Sequence, residues 1–138
     1  MSTFVRNLEL KEKLSLDDLA KLESMMENKR KNKVIAYLFL IFLSCFGLHR
    51  IYAGHRGSGI GMAVLFFMGF INLLLFLVPI LLSSSVYTGI IFLLFAIFLY
   101  VAFYIWWTID LFLLSGMIDQ RNIDIEYNMI LHLNKEKI

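Results

Sequence analysis

Two long runs of residues without a single charge constrain this chain more than any other feature of its sequence. Residues 60–82 and 90–109 contain no Asp, Glu, Lys or Arg. As helices, these runs reach about 34 Å and about 30 Å, and the hydrocarbon core of a bilayer is about 30 Å thick. Hydrophobic residues make up 59% of the sequence, which is above the apolar share of soluble domains. The sequence therefore predicts a helical membrane protein.

A third apolar run, 34–48, precedes the other two and is shorter. As a helix it reaches about 22 Å, so it is either a short true span or a re-entrant helix. We predict an all-α, polytopic membrane bundle with about three membrane helices, at about 34–48, 60–82 and 90–114. The serines at 83–85 predict a tight turn between the last two helices. Three spans would place the chain termini on opposite sides of the membrane, and two spans with a re-entrant helix would place them on the same side.

The polar segment before the first apolar run predicts a cytosolic amphipathic helix. Ser15, three residues before Asp18, fits the start of a capped helix, in which the hydroxyl accepts a hydrogen bond from a free backbone N–H. We assign residues 1–32 to this helix, residues 33–118 to a membrane domain, and residues 119–138 to a polar C-terminal tail that can form a short amphipathic helix.

Basic residues concentrate immediately before the first apolar run. This basic cluster comprises Lys29, Arg30, Lys31 and Lys33. By the positive-inside rule it predicts a cytoplasmic N-terminus and an anchor at the surface of a cell membrane, either a bacterial inner membrane or a plasma membrane. A basic cluster can also bind nucleic acid, but this one stands next to a hydrophobic span and no recognisable fold presents it. We therefore expect the lipid bilayer as a partner and no nucleic acid.

A cationic turn with the sequence GLHRIYAGHRG lies between the first two apolar runs. Asp110 lies far along the chain in an apolar stretch, where an ionised and unpaired carboxylate would be strongly unfavourable. Arg50 is the best candidate partner, since a guanidinium stays charged and can donate two hydrogen bonds to a carboxylate; His49, His55 and Arg56 are alternatives. Such a pair can clip helix ends together, relay protons or ions, or bind a lipid headgroup. We expect His49 and Arg50 to face inward, and His55 and Arg56 to face the headgroups.

The cationic turn and the stretch around Asp110 together resemble the TM2 domain family, through the patterns G-x-H-R-x-Y-x-G and W-x-x-D-L-F-L. The resemblance covers residues 33 to about 118. It rests on Ala36, Tyr37, Gly47, His49, Arg50, Tyr52, Gly54, Gly57, Gly59, Trp107, Asp110, Leu111 and Gly116. Family members usually have a shorter middle, an aromatic residue at the position of Ile51 and often a proline at that of Ser115. The resemblance implies a compact helical membrane module with no established enzymatic activity.

The sequence contains none of the residue patterns that are typical of catalysis or of metal binding. No serine is paired with a base, there is no HExxH, and the glycine-rich turn lacks the Lys-Ser/Thr of a phosphate loop. We expect no enzymatic activity, no cofactor and no metal. The leading hypothesis is a membrane scaffold or accessory subunit that self-associates or joins another membrane protein. The alternative is an oligomeric pore or transporter subunit that conducts ions or protons along His49, Arg50, His55 and Asp110.

Overall fold

The computed structural model describes residues 3–81 and 86–135, and this part of the chain is helical, with no strand. Its α-helices are, in chain order, α1 (Thr3–Lys11), α2 (Leu16–Lys29), α3 (Lys33–Phe42), α4 (Leu48–Tyr52), α5 (Arg56–Leu81) and α6 (Val86–Lys135). A short 3₁₀ turn, Ser44–Phe46, separates α3 from α4. The predicted all-α class is therefore confirmed. The turn predicted at the serines 83–85 lies outside the described residues.

The chain divides into two compact units. The terminal unit comprises Met1–Lys33 and Ser115–Ile138, and the membrane unit comprises Val34–Leu114. The terminal unit contains α1, α2 and the C-terminal part of α6. The membrane unit contains nearly all of α3, then α4, α5 and the N-terminal part of α6.

In the terminal unit, α2 and the end of α6 pack through apolar side chains. Leu22 of α2 lies against Met129, Ile130 and Leu133 of α6, and all four side chains are buried. The three α6 residues fall on one face of the helix because Leu133 is four positions from Met129 and three from Ile130. This apolar contact joins the two ends of the chain into one core.

The helix boundaries in the terminal unit differ from the predicted ones. Two helices stand where one was predicted, because α1 ends at Lys11 and α2 begins after Ser15. The amide of Asp18 donates to the Ser15 hydroxyl at 3.3 Å, and the amide of Ser15 donates to the Asp18 carboxylate at 3.2 Å, which confirms the predicted cap. At the other end, α6 continues through Gly116 to Lys135. A lone glycine costs about 1 kcal/mol relative to alanine in a helix, which is too little to end one.

Polar contacts attach α1 to α6. The side chain of Asn7 is 1% exposed, and its Nδ2 donates to the carbonyl of Ile123 at 3.0 Å and to the carboxylate of Glu126 at 3.1 Å. Lys11 pairs with the same carboxylate of Glu126. These hydrogen bonds join positions that are 116 and 119 residues apart in the chain. The N-terminal helix is therefore held by specific bonds as well as by apolar packing.

Two helices that enter the membrane unit are long and apolar enough to cross a bilayer. They are α5, over Arg56–Pro79, and α6. Only 11% and 22% of their most apolar windows are buried within the protein. Helices that are apolar all round and are left uncovered by protein are typical of membrane spans. The two helices therefore indicate a membrane protein.

The first predicted membrane segment, 34–48, is not a single helix. α3 ends at Phe42, so its ten residues reach only about 15 Å. After the 3₁₀ turn, Gly47 adopts a left-handed conformation with a φ of 63°, which interrupts a right-handed helix. Among the described residues, two helices rather than three have spanning length. The third span and the sidedness of the termini remain predictions.

Candidate functional site

The cationic turn, residues 47–57, contains the short helix α4, which is flanked by two glycines with positive φ. Gly47 and Gly54 have φ values of 63° and 96°, in a region that other residues rarely adopt. The amide of Gly47 donates to the carbonyl of Ser44 at 2.9 Å, which closes the preceding 3₁₀ turn. α4 lies between the two glycines and places His49 and Arg50 side by side on its single turn. The two glycines therefore determine where the helix that carries these two polar side chains begins and ends.

Gly47 also lies against Gly59 in the first turn of α5. A side chain at position 47 would overlap the backbone of Gly59. A Cβ at position 59 would lie 2.7 Å from Cγ1 of Ile51 and 2.8 Å from the carbonyl oxygen of Gly47. These distances are shorter than van der Waals contact, so only glycine fits at both positions. Gly57 and Gly116 have open space around them, and packing does not explain those two glycines.

Asp110 of α6 is completely buried and accepts hydrogen bonds from both polar residues of α4. Its Oδ2 lies 2.7 Å from Nε of Arg50 and 2.8 Å from Nε2 of His49. Nη2 of Arg50 donates to Oδ1, so the guanidinium contacts both carboxylate oxygens. Asp110 and His49 are 0% exposed, and the Arg50 side chain is 12% exposed. The structure thus brings together the three residues of the predicted charge cluster, which we call the Asp110 cluster.

The Asp110 cluster balances its charges internally. The Arg50 cation offsets the Asp110 anion, and His49 donates to the same carboxylate in the tautomer that carries the proton on Nε2. In that tautomer Nδ1 of His49 is a hydrogen-bond acceptor. Nδ1 is buried, and it has no hydrogen-bond partner among the described residues. The charges of Arg50 and Asp110 therefore offset each other, and one buried polar atom of the cluster is unsatisfied.

Trp106 is a member of this site that our sequence reasoning missed. Its ring centroid lies 5.1 Å from the guanidinium carbon of Arg50, within the range of a cation–π contact. A signal for this contact was present, because Trp106 and Asp110 are four positions apart and therefore share one face of a helix. A cation that reaches Asp110 on that face also reaches the ring.

Two hydrogen bonds connect α3 to α6 beside the cluster. Nε1 of Trp107 donates to the carbonyl of Leu40 at 3.1 Å, and the hydroxyl of Tyr37 donates to the carbonyl of Leu111 at 3.2 Å. The Leu40 carbonyl belongs to the last turn of α3, where carbonyls have no partner within the helix. The motif residue Trp107 thus donates a hydrogen bond to a carbonyl at the C-terminal end of α3 that has no partner within the helix. The motif residue Tyr52 also contacts α3, with its ring centroid 5.5 Å from that of Phe39.

The other predicted cations are not placed in the Asp110 cluster. His55 and Arg56 are exposed at the start of α5. The basic cluster belongs to the terminal unit and surrounds the connection between α2 and α3. It consists of Lys29, Arg30 and Lys33, which are exposed, and Lys31, which is half-buried.

The Asp110 cluster offers one carboxylate, one guanidinium and one imidazole. Within the described ranges, no group of three or more His, Cys, Asp or Glu side chains is placed to hold a metal ion. His49, Arg50 and Asp110 contribute one carboxylate and its hydrogen-bond donors. The arrangement can fix α4 against α6, and the free lone pair of His49 can accept a hydrogen bond or a proton.

The family model of the TM2 domain matches residues 29–81. This range contains the basic cluster, α3, the cationic turn and α5. It ends before α6, so Trp107 and Asp110 lie outside it. No match was found among curated proteins or among solved structures.

We expect Gly59→Ala to destabilise the membrane unit and Gly57→Ala to leave its stability unchanged or raise it slightly. The methyl group at position 59 overlaps Ile51 and Gly47, and overpacking of this kind costs about 1–3 kcal/mol. The methyl group at position 57 meets nothing within 4 Å and improves helix propensity. Thermal unfolding in one detergent, followed by circular dichroism, compares the variants. Equal midpoints for the two would contradict the close contact of α4 with α5.

We expect Asp110→Asn and Arg50→Met to be strongly non-additive. Each change alone leaves an unpaired buried charge, which costs about 3–5 kcal/mol, and the double variant removes both charges and should recover most of that loss. Chemical unfolding in lipid bicelles measures the free energy of unfolding of the wild type, the two single variants and the double variant. Arg56→Met, which removes an exposed arginine, is the matched control and should change stability by less than about 0.5 kcal/mol. Additive losses would refute the pairing as a source of stability.

Proposed function

Because the TM2 domain family model matches residues 29–81, we propose that this membrane protein is a non-enzymatic scaffold or accessory subunit of a membrane complex. In this proposal the bundle is closed by the Asp110 cluster, and the protein associates with a second copy of itself or with another membrane protein. The basic cluster supports a cell-membrane location with the N-terminus in the cytoplasm.

The closed state of the Asp110 cluster is the observation that carries this proposal. Both oxygens of the carboxylate are occupied by donors from α4. A catalytic or conducting group must be reached by substrate, water or an ion, whereas Asp110 and His49 are fully buried. In this proposal, His49, Arg50 and Asp110 therefore stabilise the packing of helices in the membrane unit. A protein whose buried charges serve packing is best suited to a structural role.

An exposed apolar surface on α1 supports a role in assembly. Phe4 and Leu8 lie one helical turn apart and are 54% and 47% exposed. Asn7, which lies between them in the chain, is buried in the terminal unit, whereas the apolar pair stays exposed. Large apolar side chains that remain exposed mark contact surfaces for proteins or membranes. We expect this surface to contact the partner.

The assembly state of the full chain tests the proposal. The protein is extracted from its membrane with a copolymer that retains the surrounding lipid, and native mass spectrometry identifies the chains in each particle. We expect more than one protein chain per particle, and a smaller share of such particles for Phe4→Ser combined with Leu8→Ser, because the apolar contact is lost. Glu9→Ser, a change at an exposed position of the same helix, is the control. Particles with one chain and no other protein would count against a scaffold.

A conducting role is the second candidate, and the unsatisfied Nδ1 of His49 favours it. Imidazole is the side chain that exchanges protons near neutral pH, and ionisable groups at membrane depth often belong to relays. In this alternative an oligomer forms a pore or transporter subunit, and His49 and Asp110 lie on its path with Arg50. The mostly apolar surfaces of α5 and α6 oppose it, because a path for ions requires polar groups along its length.

Flux through liposomes decides between the two candidates. Purified protein is reconstituted with a pH-sensitive dye inside the vesicles, and proton entry is recorded after an acid jump. A relay predicts that Asp110→Asn and Arg50→Gln each lower the flux at least about tenfold, because a proton step that loses its ionisable group loses its driving force. Arg56→Gln, at an exposed position outside the proposed path, should have no effect. Flux that is absent in the wild type, or unchanged in both cluster variants, would eliminate the conducting role.

A further inference from the structure

The connection between α2 and α3 is fixed by a side chain of α6. The amide of Lys31 donates to Oδ1 of Asn122 at 2.7 Å, and Nδ2 of Asn122 donates to the carbonyl of Lys31 at 3.1 Å. These bonds satisfy both backbone groups of Lys31 at a position where no helix does so. The loop between the two helices therefore keeps a defined shape, which a binding site requires.

An open cavity of about 420 Å³ lies beside this loop. Three cations and two carboxylates line it, namely Arg30, Lys31, Lys33, Glu27 and Asp119. Nζ of Lys33 lies 2.7 Å from Oδ2 of Asp119, but these side chains are 45% and 56% exposed. An ion pair at that exposure is weak, so each partner can exchange the other for a ligand. A ligand with charge of only one sign would leave either the cations or the carboxylates of the lining without an opposite charge to pair with.

The position of the cavity along the chain indicates the class of ligand. Lys33 is the first residue of α3, and the residues that follow it to Phe42 are all apolar or aromatic. Basic side chains directly before an apolar membrane segment meet the layer of lipid headgroups. Every phospholipid headgroup in that layer presents a phosphate, and some also present an ammonium group. A headgroup with both charges can pair with the cations and the carboxylates of this lining at once.

We propose that this cavity binds a phospholipid with an ethanolamine headgroup. Arg30 and Lys33 donate hydrogen bonds to the phosphate, and the primary ammonium donates to Glu27 and Asp119. A choline headgroup has no N–H to donate to these carboxylates, and a glycerol headgroup has no cation to pair with them. This site lies in the terminal unit, and its ligand is the same whether the protein is a scaffold or conducts ions.

Lipid retention by the full chain tests the proposal. The protein is placed in nanodiscs with equal parts of phosphatidylethanolamine, phosphatidylglycerol and phosphatidylcholine that share the same acyl chains, and native mass spectrometry records the lipids it retains. We expect the wild type to retain more of the ethanolamine lipid than of the other two lipids. In Glu27→Gln this excess should fall by up to about fivefold, which is the largest effect expected from the loss of one exposed ion pair. Arg30→Gln should lower the retention of all three lipids, because each contains the phosphate.

Two neighbouring changes serve as matched controls. Glu23→Gln lies one helical turn before Glu27, and Lys29→Gln lies next to Arg30, but neither residue lines this cavity. Both should retain the lipids as the wild type does. Equal retention of the three headgroups, preference for phosphatidylglycerol, or the same loss in the control variants would overturn the proposal. In a separate experiment, the protein is offered soluble glycerophosphoethanolamine. If the protein binds this compound but retains no ethanolamine lipid, the ligand is not a membrane lipid and the proposal is refuted.

Discussion

The buried carboxylate of Asp110 is the group on which the arrangement of the membrane unit depends. An isolated charge in an apolar interior is too unfavourable to persist, so this carboxylate requires a cation wherever the chain folds. Arg50 supplies that cation with two hydrogen bonds, and His49 adds a third. Because these residues are consecutive in α4, one short helix delivers every donor. The position of α4 against α6 follows from this single requirement.

α4 can reach Asp110 only because the backbone on both sides of it turns sharply. Gly47 adopts a left-handed conformation and lies in contact with Gly59, so the start of α5 approaches α4 without a side chain between them. On α6, Trp107 binds the open end of α3 three residues before Asp110. The glycine contact and the charge pair therefore constrain each other. A shift of α4 away from α5 would also lengthen the hydrogen bonds to the carboxylate, whose strength falls steeply with distance.

The features that could be predicted well from the sequence are those without which the chain would be strongly destabilised. Charge-free runs of spanning length are stable only as membrane helices, which led to the all-α membrane class. An acid directly after such a run, with apolar residues on both sides, needs a cation, and few cations were available, so the contact of Arg50 with Asp110 could be predicted across sixty positions. The cap of Ser15 on α2 could be predicted because its partner lies three residues away.

The features that the sequence left open depend on small differences or on distant partners. Nothing in the composition of 34–48 predicts that α3 ends at Phe42 or that a 3₁₀ turn capped by a left-handed Gly47 follows it. The change from apolar to polar residues after Gly116 indicates a change of environment, but it does not show that one helix, α6, continues through it to Lys135. Asn7 meets Ile123 across 116 positions. An amphipathic pattern shows that a face is covered but does not identify the partner that covers it.

The structural and the conducting hypotheses require different states of the same cluster. In the closed state, both oxygens of Asp110 bind α4, and Arg50 cannot leave without exposing a buried anion. A relay through Nδ1 of His49 would need a donor or acceptor beside that atom, and the described residues provide none. Conduction would therefore require the cluster to open and admit water, with the loss of the bonds that hold α4 to α6. A scaffold requires no such opening, so the bonds that hold α4 to α6 can stay in place in that role.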